Sequence, residues 1–368
     1  MAELFKNIYN DRFFERFTNI VLVIQPNFNK TQFIKDIYTD NWEQKELKQR
    51  MRHITTVLNT HLSPNFEQNV ELLIAVIQYI EQNNIKQESI EYMFLPDFIE
   101  VYGMNHYNVS VKAMEQITQF TSCEFAVRPF IIAYPDKMLT QMKAWSTHKH
   151  PMVRRLATEG CRPRLPWAMA LPELKKDPTP ILPILETLKG DVSESVRRSV
   201  ANNLNDISKD NPEIVMQLAK KWMGTSKEID WVVKHASRTL LKQGNSEIME
   251  LFGFGSIENI KITDFNIHTP KVSIGNYLEF SFKLKNISSP PSKIRLEYGL
   301  YYQKANGTLS KKVFKISEKQ YDGQSTTAIT RKQSFKIITT RRYHVGLHQV
   351  SLIINGQELE AFNFELIS

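Results

Sequence analysis

The chain of 368 residues has only two cysteines, Cys123 and Cys161, and no long apolar run. Two cysteines outside any spaced framework argue against disulfides and against a thiolate metal site. The apolar run Ile20–Ile24 ends before Pro26, far short of the ~20 residues that a membrane-spanning helix needs. The charged N-terminal segment also lacks the apolar core of a signal peptide. We therefore expect a cytoplasmic protein that does not interact with membranes.

Several local signatures of catalysis are missing as well. The sequence has no glycine-rich phosphate loop, no Ser-His-Asp ordering, no His-Glu-x-x-His motif and no cysteine pair. Nucleotide hydrolysis, acyl transfer and metal-assisted hydrolysis therefore have no local support. Hydrophobic residues make up 42% of the chain and charged residues 23%, which is typical of a folded globular protein.

The net charge of +8 is distributed unevenly along the chain. Residues 1–127 carry 11 lysines and arginines against 16 acidic residues, whereas residues 128–242 carry 20 against 12. Residues 258–368 carry 16 against 9. An acidic first third followed by two basic regions is typical of a molecule with one basic side, as nucleic-acid binding requires.

A short basic motif recurs at a regular spacing. Val153-Arg154-Arg155 is followed 43 residues later by Val196-Arg197-Arg198, and a looser copy, Val233-Lys234-His235, follows after 37 more. The first spacing lies within the ~40 to 47 residue period of HEAT-type helical repeats, whose stacking would align the cations along one face. The side chains of adjacent helix residues point about 100° apart around the helix axis. We therefore expect one arginine of each pair to face the bound nucleic acid and the other to pair with an acid.

The apolar pattern changes near residue 258. Before it, apolar residues recur at helical spacing, whereas Leu278, Phe280, Phe282 and Leu284 alternate with polar residues as in a half-buried strand. Further strands are predicted at 294–301, 312–316, 334–338 and 347–354, and Asn355-Gly356 is a strong hairpin signal. We predict a mainly α protein with a HEAT-like helical repeat solenoid at residues 1–257. A linker at 253–261 leads into a small all-β immunoglobulin-like sandwich at residues 258–368.

Candidate chemistry lies in carboxylates within the basic region. Glu124, Glu159 and Asp206 each lie near a repeat boundary, and stacked repeats would bring them together. Carboxylates beside a phosphate-attracting surface suit cleavage of a glycosidic bond through an oxocarbenium-like transition state. Other interpretations remain open: Glu159 as a salt-bridge partner, Asp206 as a helix cap, and Trp167 as a core residue. The residues alone favour a HEAT scaffold that binds an acidic protein.

Three stretches point to one family. The runs 124–130, 153–167 and 193–206 closely resemble the bacterial AlkC family of DNA alkylation repair glycosylases. The resemblance covers the helical region and is most specific from about residue 122 to 240. One branch of this family carries an immunoglobulin-like domain after its repeats, which fits the predicted sandwich.

The resemblance implies a monofunctional glycosylase without lyase activity that acts in base excision repair. Such enzymes remove cationic alkylated bases, chiefly 3-methyladenine and also 3-methylcytosine, and leave an abasic site. They need neither a metal nor an organic cofactor. They grip the backbone and bend the duplex rather than bury the flipped base in a tight pocket, in contrast to ordinary base flippers. The implied partner is double-stranded DNA with alkylated bases, bound by a monomer with no obligate protein partner.

The resemblance also suggests roles for individual residues. Glu159 and Asp206 are expected to face the sugar and the attacking water, with Glu124 in support, and Trp167 to lie against the deoxyribose or the lesion. The candidate phosphate contacts are Arg128, Arg154, Arg155, Arg162, Arg164, Arg197, Arg198, Lys234 and Arg238, together with Lys332, Lys336, Arg341 and Arg342 in the sandwich. The alternatives are a non-catalytic DNA-binding protein and a HEAT scaffold for an acidic protein.

Overall fold

The computed structural model describes residues 4–85, 89–338 and 341–368. Its N-terminal part is helical and its C-terminal part is built from strands, so the predicted order of a helical region and a small sandwich is confirmed. The helices are α1 Asp11–Ile24, α2 Lys30–Ile37, α3 Leu47–Thr60, α4 Phe66–Gln82, α5 Phe94–Tyr102, α6 Tyr107–Ile117, α7 Val127–Ala133, α8 Pro135–Trp145, α9 Pro151–Glu159, α10 Pro172–Lys176, α11 Leu182–Leu188, α12 Glu194–Ile207, α13 Pro212–Trp222, α14 Lys227–Ala236, α15 Arg238–Gln243 and α16 Ser246–Leu251. Short 3-10 turns lie at Phe5–Ile8, Ser89–Tyr92 and Thr179–Ile181.

The chain divides into two compact units. One contains the residues up to Val215 together with Lys221–Ala236, and the other contains Met216–Lys220 and Ser237–Ser368. Helices α15 and α16 therefore belong to the same unit as the strands. The domain limits 1–257 and 258–368 stay a prediction.

The repeated basic motif lies on two helices that pack together. Helix α9 begins after His150, whose ring nitrogen accepts the backbone N–H of Met152, and Pro151 occupies its first position. Proline is favoured there because its fixed φ suits a helix and its missing N–H has no partner to lose. Val153 in α9 and Val196 in α12 are both fully buried, and α12 packs against α9 and α14. The two copies of the motif thus place their valines in the buried interior of helices that pack together.

The sandwich consists of two sheets. Its strands are β1 Ile260–Ile267, β2 Lys271–Ser273, β3 Tyr277–Asn286, β4 Ser292–Gln303, β5 Leu309–Tyr321, β6 Ser325–Ser334, β7 Gly346–Ile354 and β8 Gln357–Ile367. One sheet has the order β1-β3-β6 and the other β2-β8-β7-β4-β5, with β2 parallel to β8. The alternating residues Leu278, Phe280, Phe282 and Leu284 are at most 1% exposed and form part of the core between the sheets.

The sequence prediction misplaced one strand and missed three. The predicted strand 334–338 is wrong, because β6 ends at Ser334 and Ile337 is 82% exposed. Strand β6 itself was missed because Ser325–Ser334 is mostly polar, with half-exposed positions alternating with exposed ones. Strands β1 and β2 were also missed, and β1 begins inside the predicted linker at Ile260. By contrast, Asn355 and Gly356 form the predicted hairpin turn between β7 and β8, both at positive φ.

Candidate active site

Glu159 is the last residue of α9, and only 5% of it is exposed. Its Oε1 accepts a hydrogen bond of 2.6 Å from Nη1 of Arg162. Nη2 of Arg155, one turn earlier on the same helix, lies 3.8 Å from the same oxygen. The carboxylate is therefore held between two guanidinium groups.

Arg155 also contacts the turn before α7. Its Nη1 lies 2.8 Å from Oε2 of Glu124 and donates to Oγ of Ser122 at 3.2 Å. Ser122 in turn donates to Glu124 at 2.8 Å. Glu124 lies in the turn before α7 and Glu159 at the end of α9, so Arg155 connects two carboxylates from different parts of the helical region.

Arg162 makes the corresponding connection between Glu159 and α12. Its Nε and Nη2 each lie 2.8 Å from Oδ2 of Asp206 in α12, while its Nη1 contacts Glu159. Nζ of Lys209 lies 3.0 Å from the other oxygen of Asp206. Burial alone would lower the pKa of Arg162, but the charges of Glu159 and Asp206 outweigh it and raise that pKa. The guanidinium therefore stays charged between two carboxylates.

These side chains border an open cleft of about 480 Å³. Glu124, Glu159, Arg155 and Arg162 form its charged side, and it is further lined by Ile90, Met93, Thr121, Ser122, Phe125, Leu165, Pro166 and Trp167. Asp206 is not among the lining residues and is 2% exposed. The expectation that Asp206 faces the same space as Glu159 therefore differs from the structure, because Arg162 lies between them.

Arg128 donates hydrogen bonds to three carbonyls of the loop between α9 and α10. Nη1 of this arginine donates to the carbonyls of Gly160 and Arg162 at 2.9 and 2.8 Å, and its Nε donates to that of Met169 at 2.7 Å. Burial lowers the pKa of Arg128 to about 10. The side chain is fully buried, so the structure does not support the phosphate contact expected for Arg128. It organises the loop instead.

Trp167 lies at the exposed end of this loop. Its φ is 65°, in the left-handed region, and 66% of the residue is exposed. A bulky side chain in this region costs about 1–3 kcal/mol and persists only where surrounding contacts enforce it. The carbonyl of Trp167 accepts a 2.7 Å hydrogen bond from Nζ of Lys48 in α3. The indole is therefore exposed at the mouth of the charged cleft, and the alternative that Trp167 is a core residue is wrong.

In both basic motifs, Arg154-Arg155 and Arg197-Arg198, the first arginine contacts the backbone just before its own helix. Nη1 of Arg154 donates to the carbonyls of His148 and Lys149, both at 2.9 Å, and its Nε lies 2.6 Å from Asp191. Arg197, 43 residues later, donates to the carbonyls of Asp191 and Val192 at 2.6 and 3.1 Å. The first arginine of each pair thus secures the turn before its own helix.

The second arginine of each pair points elsewhere. Arg155 and Arg198 both line a second cleft of about 450 Å³, which also contains Glu159. Arg198 pairs with Glu194, and both side chains are largely exposed. The two arginines of each pair point in different directions, as helix geometry predicts, but Arg155 and Arg198 also pair with acids. Which arginine of each pair contacts a phosphate therefore stays a prediction.

The other predicted helical cations are more scattered. Arg164 makes a bidentate salt bridge with Asp210, in which Nε donates to Oδ2 at 2.8 Å and Nη2 donates to Oδ1 at 2.6 Å. Lys234 is exposed near the end of α14. Arg238 opens α15 in the second unit and is half-buried. The structure brings neither Lys234 nor Arg238 into the lining of the two clefts.

The four predicted cations of the sandwich fall into two groups. Lys332 on β6 pairs with Glu279 on β3 at 3.1 Å, and Nζ of Lys336 lies 5.7 Å from the centroid of the Tyr277 ring. Arg341 lies over the Tyr302 ring at 4.1 Å. With Arg342 it lines a cleft of about 340 Å³, whose other residues are Tyr302, Gln303, Lys304, Ser310, Lys311, Lys312, Tyr343, His344 and His348.

Three further findings concern metal binding, membrane-spanning helices and the reactivity of the cysteines. Residues 4–85, 89–338 and 341–368 contain no group of three or more His, Cys, Asp or Glu side chains placed to hold a metal ion. Within the same ranges, no helix is long and apolar enough to span a membrane. Both cysteines are fully buried, and burial raises the pKa of Cys161 to about 12, which leaves it an unreactive thiol at neutral pH.

The sequence interpretation missed three residues of this site. Lys209 follows Asp206 by three positions, a helical pairing distance that could have signalled it. Ser122 could have been noticed as a neighbour of Glu124. Lys48 carries no sequence signal, because it reaches Trp167 across 119 residues.

Comparison with known proteins places the chain in a class. A family model described as DNA alkylation repair enzyme matches residues 31–243, and a model described as the C-terminal Ig-like domain of the uncharacterised protein YhaZ matches residues 261–368. The chain belongs to the DNA alkylation repair enzyme family. It is 41% identical over 366 residues to the protein described as uncharacterized protein YhaZ of Bacillus subtilis (strain 168), with 100% of both chains covered.

A solved structure extends this relationship to the whole chain. It is that of the Pseudomonas fluorescens alkylpurine DNA glycosylase AlkC bound to DNA containing an abasic site analog. The two chains are 32% identical and align over 100% of each with a TM-score of 0.94. The resemblance to AlkC inferred from the sequence is confirmed, and so is the immunoglobulin-like class of the C-terminal sandwich.

Proposed function

We propose that this protein is a monofunctional DNA glycosylase that removes cationic N3-alkylated bases from double-stranded DNA. The substrates would be 3-methyladenine and also 3-methylcytosine, and the product an abasic site for base excision repair. The observation that carries the proposal is the cleft in which Glu124 and Glu159 alternate with Arg155 and Arg162. It occurs in a chain that matches a DNA-bound alkylpurine glycosylase over its full length.

The carboxylates suit the charge that develops during this reaction. A positively charged N3-alkyl base is already a good leaving group, so the enzyme need not protonate it. As the glycosidic bond breaks, positive charge builds on the deoxyribose, and a preorganised carboxylate stabilises that charge. Glu159 is the leading candidate, because it borders both clefts and is fixed by two guanidinium groups.

Asp206 and Glu124 would support Glu159 in different ways. Asp206 holds Arg162 from behind, and movement of Arg162 toward a phosphate would open Asp206 to an attacking water. Glu124 fixes Arg155 on the opposite side. Backbone phosphates and the two carboxylates would thus compete for the same arginines. Trp167 would lie against the deoxyribose or the lesion, without a closed pocket for the base.

A base-release assay tests the proposal directly. Duplex DNA treated with a methylating agent is incubated with the protein, and free 3-methyladenine and 3-methylcytosine are quantified. We expect release by the native protein, and a loss of about 10²- to 10³-fold in Glu159→Gln, which keeps the shape but removes the charge. Asp206→Asn should also lose release, and both variants should still bind duplex DNA.

Other outcomes would favour the alternatives. Salt-sensitive duplex binding without base release, even at high enzyme concentration, would indicate a non-catalytic DNA-binding protein. Equal binding to DNA and to other polyanions would indicate a scaffold for an acidic protein. Wild-type activity in both carboxylate variants would refute the assigned roles. We also expect a monomer without an obligate protein partner, which sedimentation with and without duplex would check.

A further inference from the structure

Lys48 connects two sides of the candidate active site from a distant helix. Its Nζ donates to the carbonyl of Trp167 at 2.7 Å and lies 5.2 Å from the centroid of the Phe125 ring. Trp167 and Phe125 both line the main cleft, one from the loop after α9 and the other from the turn before α7. A single ammonium group therefore contacts both walls.

The position of Lys48 has no local explanation. It is the second residue of α3, which begins at Leu47, and the first turn of that helix contains no acidic residue. The partial positive charge at a helix N-terminus disfavours a lysine there. The lysine side chain is exposed, so its burial does not stabilise the core. Its hydrogen bond to the loop is the contact that its position serves.

The peptide that Lys48 contacts is the strained one. Trp167 has φ 65°, and the backbone before and after it is fixed by bonds from Ala168 N to Leu165 O and from Arg128 Nε to Met169 O. The N–H of Ala168 and the carbonyl of Trp167 belong to one planar peptide group, so the bond to Leu165 at 3.3 Å and the bond from Lys48 at 2.7 Å hold the two ends of the same plane. The Lys48 bond is the shorter of the two, and it is the one made by a charged side chain from a distant helix.

We propose that Lys48 is a positioning residue that holds the Trp167 peptide in its left-handed conformation and so keeps the indole at the mouth of the cleft. The inference rests on the proposed function for its catalytic consequence, but not for the contact itself. Lys48 acts through Trp167, not on the substrate. This predicts that its effect on base release disappears when the indole is absent.

A double-mutant cycle tests that dependence. Lys48→Met should lower the single-turnover rate of 3-methyladenine release about tenfold, the size expected from loss of one charged hydrogen bond, with duplex affinity changed by less than about threefold. Lys48→Arg should restore most of the rate. In a Trp167→Ala background, Lys48→Met should have no further effect. The matched control is Lys45→Met, which removes the same charge just before α3, where Lys45 contacts Thr39 and Asn41.

A second measurement reads the position of Trp167 without relying on catalysis. In protein labelled with 5-fluorotryptophan, the fluorine resonance of Trp167 is identified by its loss in Trp167→Phe. It should shift, split or broaden in Lys48→Met and stay unchanged in Lys45→Met. If native protein releases no base, the proposed function fails while this spectrum still decides the positioning role.

Two results would overturn the inference. An unchanged Trp167 resonance in Lys48→Met would show that the lysine does not hold this peptide. Equal losses from Lys48→Met in the native and Trp167→Ala backgrounds, with weaker duplex binding, would instead make Lys48 an independent phosphate contact.

Discussion

Residues 128–242 of the helical region and the sandwich both carry an excess of basic residues, but the arginines of their two clefts have different neighbours. Around the main cleft, Arg155 and Arg162 contact carboxylates that are buried or nearly so. In the sandwich, the guanidinium carbon of Arg341 lies 4.1 Å from the centroid of the Tyr302 ring, and none of the described residues that line its cleft is acidic. Carboxylates in the lining therefore balance the arginines of the helical cleft, whereas the described lining of the sandwich cleft contains no acidic residue.

This difference suits two tasks. A guanidinium fixed between carboxylates has a defined direction, and its acids stay ionised and oriented for chemistry. A guanidinium stacked on an aromatic ring keeps its in-plane N–H donors available for phosphate, and it adds general attraction for a polyanion. We expect substitutions in the first group to affect stability and base release, and those in the second to affect the salt dependence of DNA binding.

The largest effect is expected from Arg162→Met. The substitution leaves Glu159 and Asp206 buried without the guanidinium between them, which should cost about 3–5 kcal/mol of unfolding free energy. Urea denaturation measures this cost, and base release should fall below detection. The control is Arg164→Met on the same loop, whose more exposed pair with Asp210 should cost less than about 1 kcal/mol. Equal losses of unfolding free energy in Arg162→Met and Arg164→Met would contradict the proposal that the buried carboxylates depend on Arg162.

The next effect separates the two arginines of one pair. Arg155→Met should reduce base release by about 10- to 100-fold, since Glu124 and Glu159 lose a shared cation. Arg154→Met should instead lower the unfolding free energy by about 2 kcal/mol, because it removes a two-pronged bond to Asp191, and leave the activity of the folded protein nearly intact. Thermal melts and base release on the same samples would distinguish these results. Similar losses of base release in Arg154→Met and Arg155→Met would contradict the assignment of Arg154 to stability and Arg155 to activity.

A smaller effect is expected in the sandwich. Arg341→Ala combined with Arg342→Ala should reduce the slope of log Kd against log salt concentration by about one to two, if each arginine neutralises one phosphate. The single-turnover rate at saturating protein should stay unchanged. Lys332→Ala is the matched control, because Lys332 already pairs with Glu279. A slope unchanged by the double substitution would remove these arginines from the DNA contacts.

The smallest effect concerns acid stability. The hydrogen bond from Arg164 lowers the pKa of Asp210 below its ordinary value of 3.8. The pair therefore stabilises the protein fully above that ordinary value, and the contribution is lost as the pH falls through the lowered pKa. Because the pair is partly exposed, we expect a contribution of about 0.5 kcal/mol. Native protein and Arg164→Met should differ by this amount near neutral pH and converge in acid.

The sequence was most informative where a pattern was local or periodic. The 43-residue echo of the valine and arginine motif located two helices that pack together, and 3.6-residue geometry correctly separated Arg154 from Arg155. Alternation identified β3 for the same reason, since one face of that strand fills the core. It failed for β6, whose polar residues are only partly covered and leave no alternating apolar signal.

The sequence was least informative about which side chains are buried and which residues meet across a long separation in the chain. Nothing in the run 124–130 shows that Arg128 is buried and bonded to three carbonyls, because those carbonyls belong to a loop some 30 to 40 residues away. Likewise, Asp206 was grouped with Glu159 by its place near a repeat boundary and by the family resemblance, and neither shows that the Arg162 guanidinium lies between the two carboxylates.

The order of helices and strands, the regional charge and the chemical types at the site were thus determined by the sequence itself. Periodicity and residue type are properties of neighbouring positions, and they survive without knowledge of the packing. Only the tertiary structure decided which arginines are buried, which carboxylate faces the cleft and which lysine contacts Trp167. These depend on side chains more than 30 residues apart that meet in one place, where burial and competing charges determine the final arrangement.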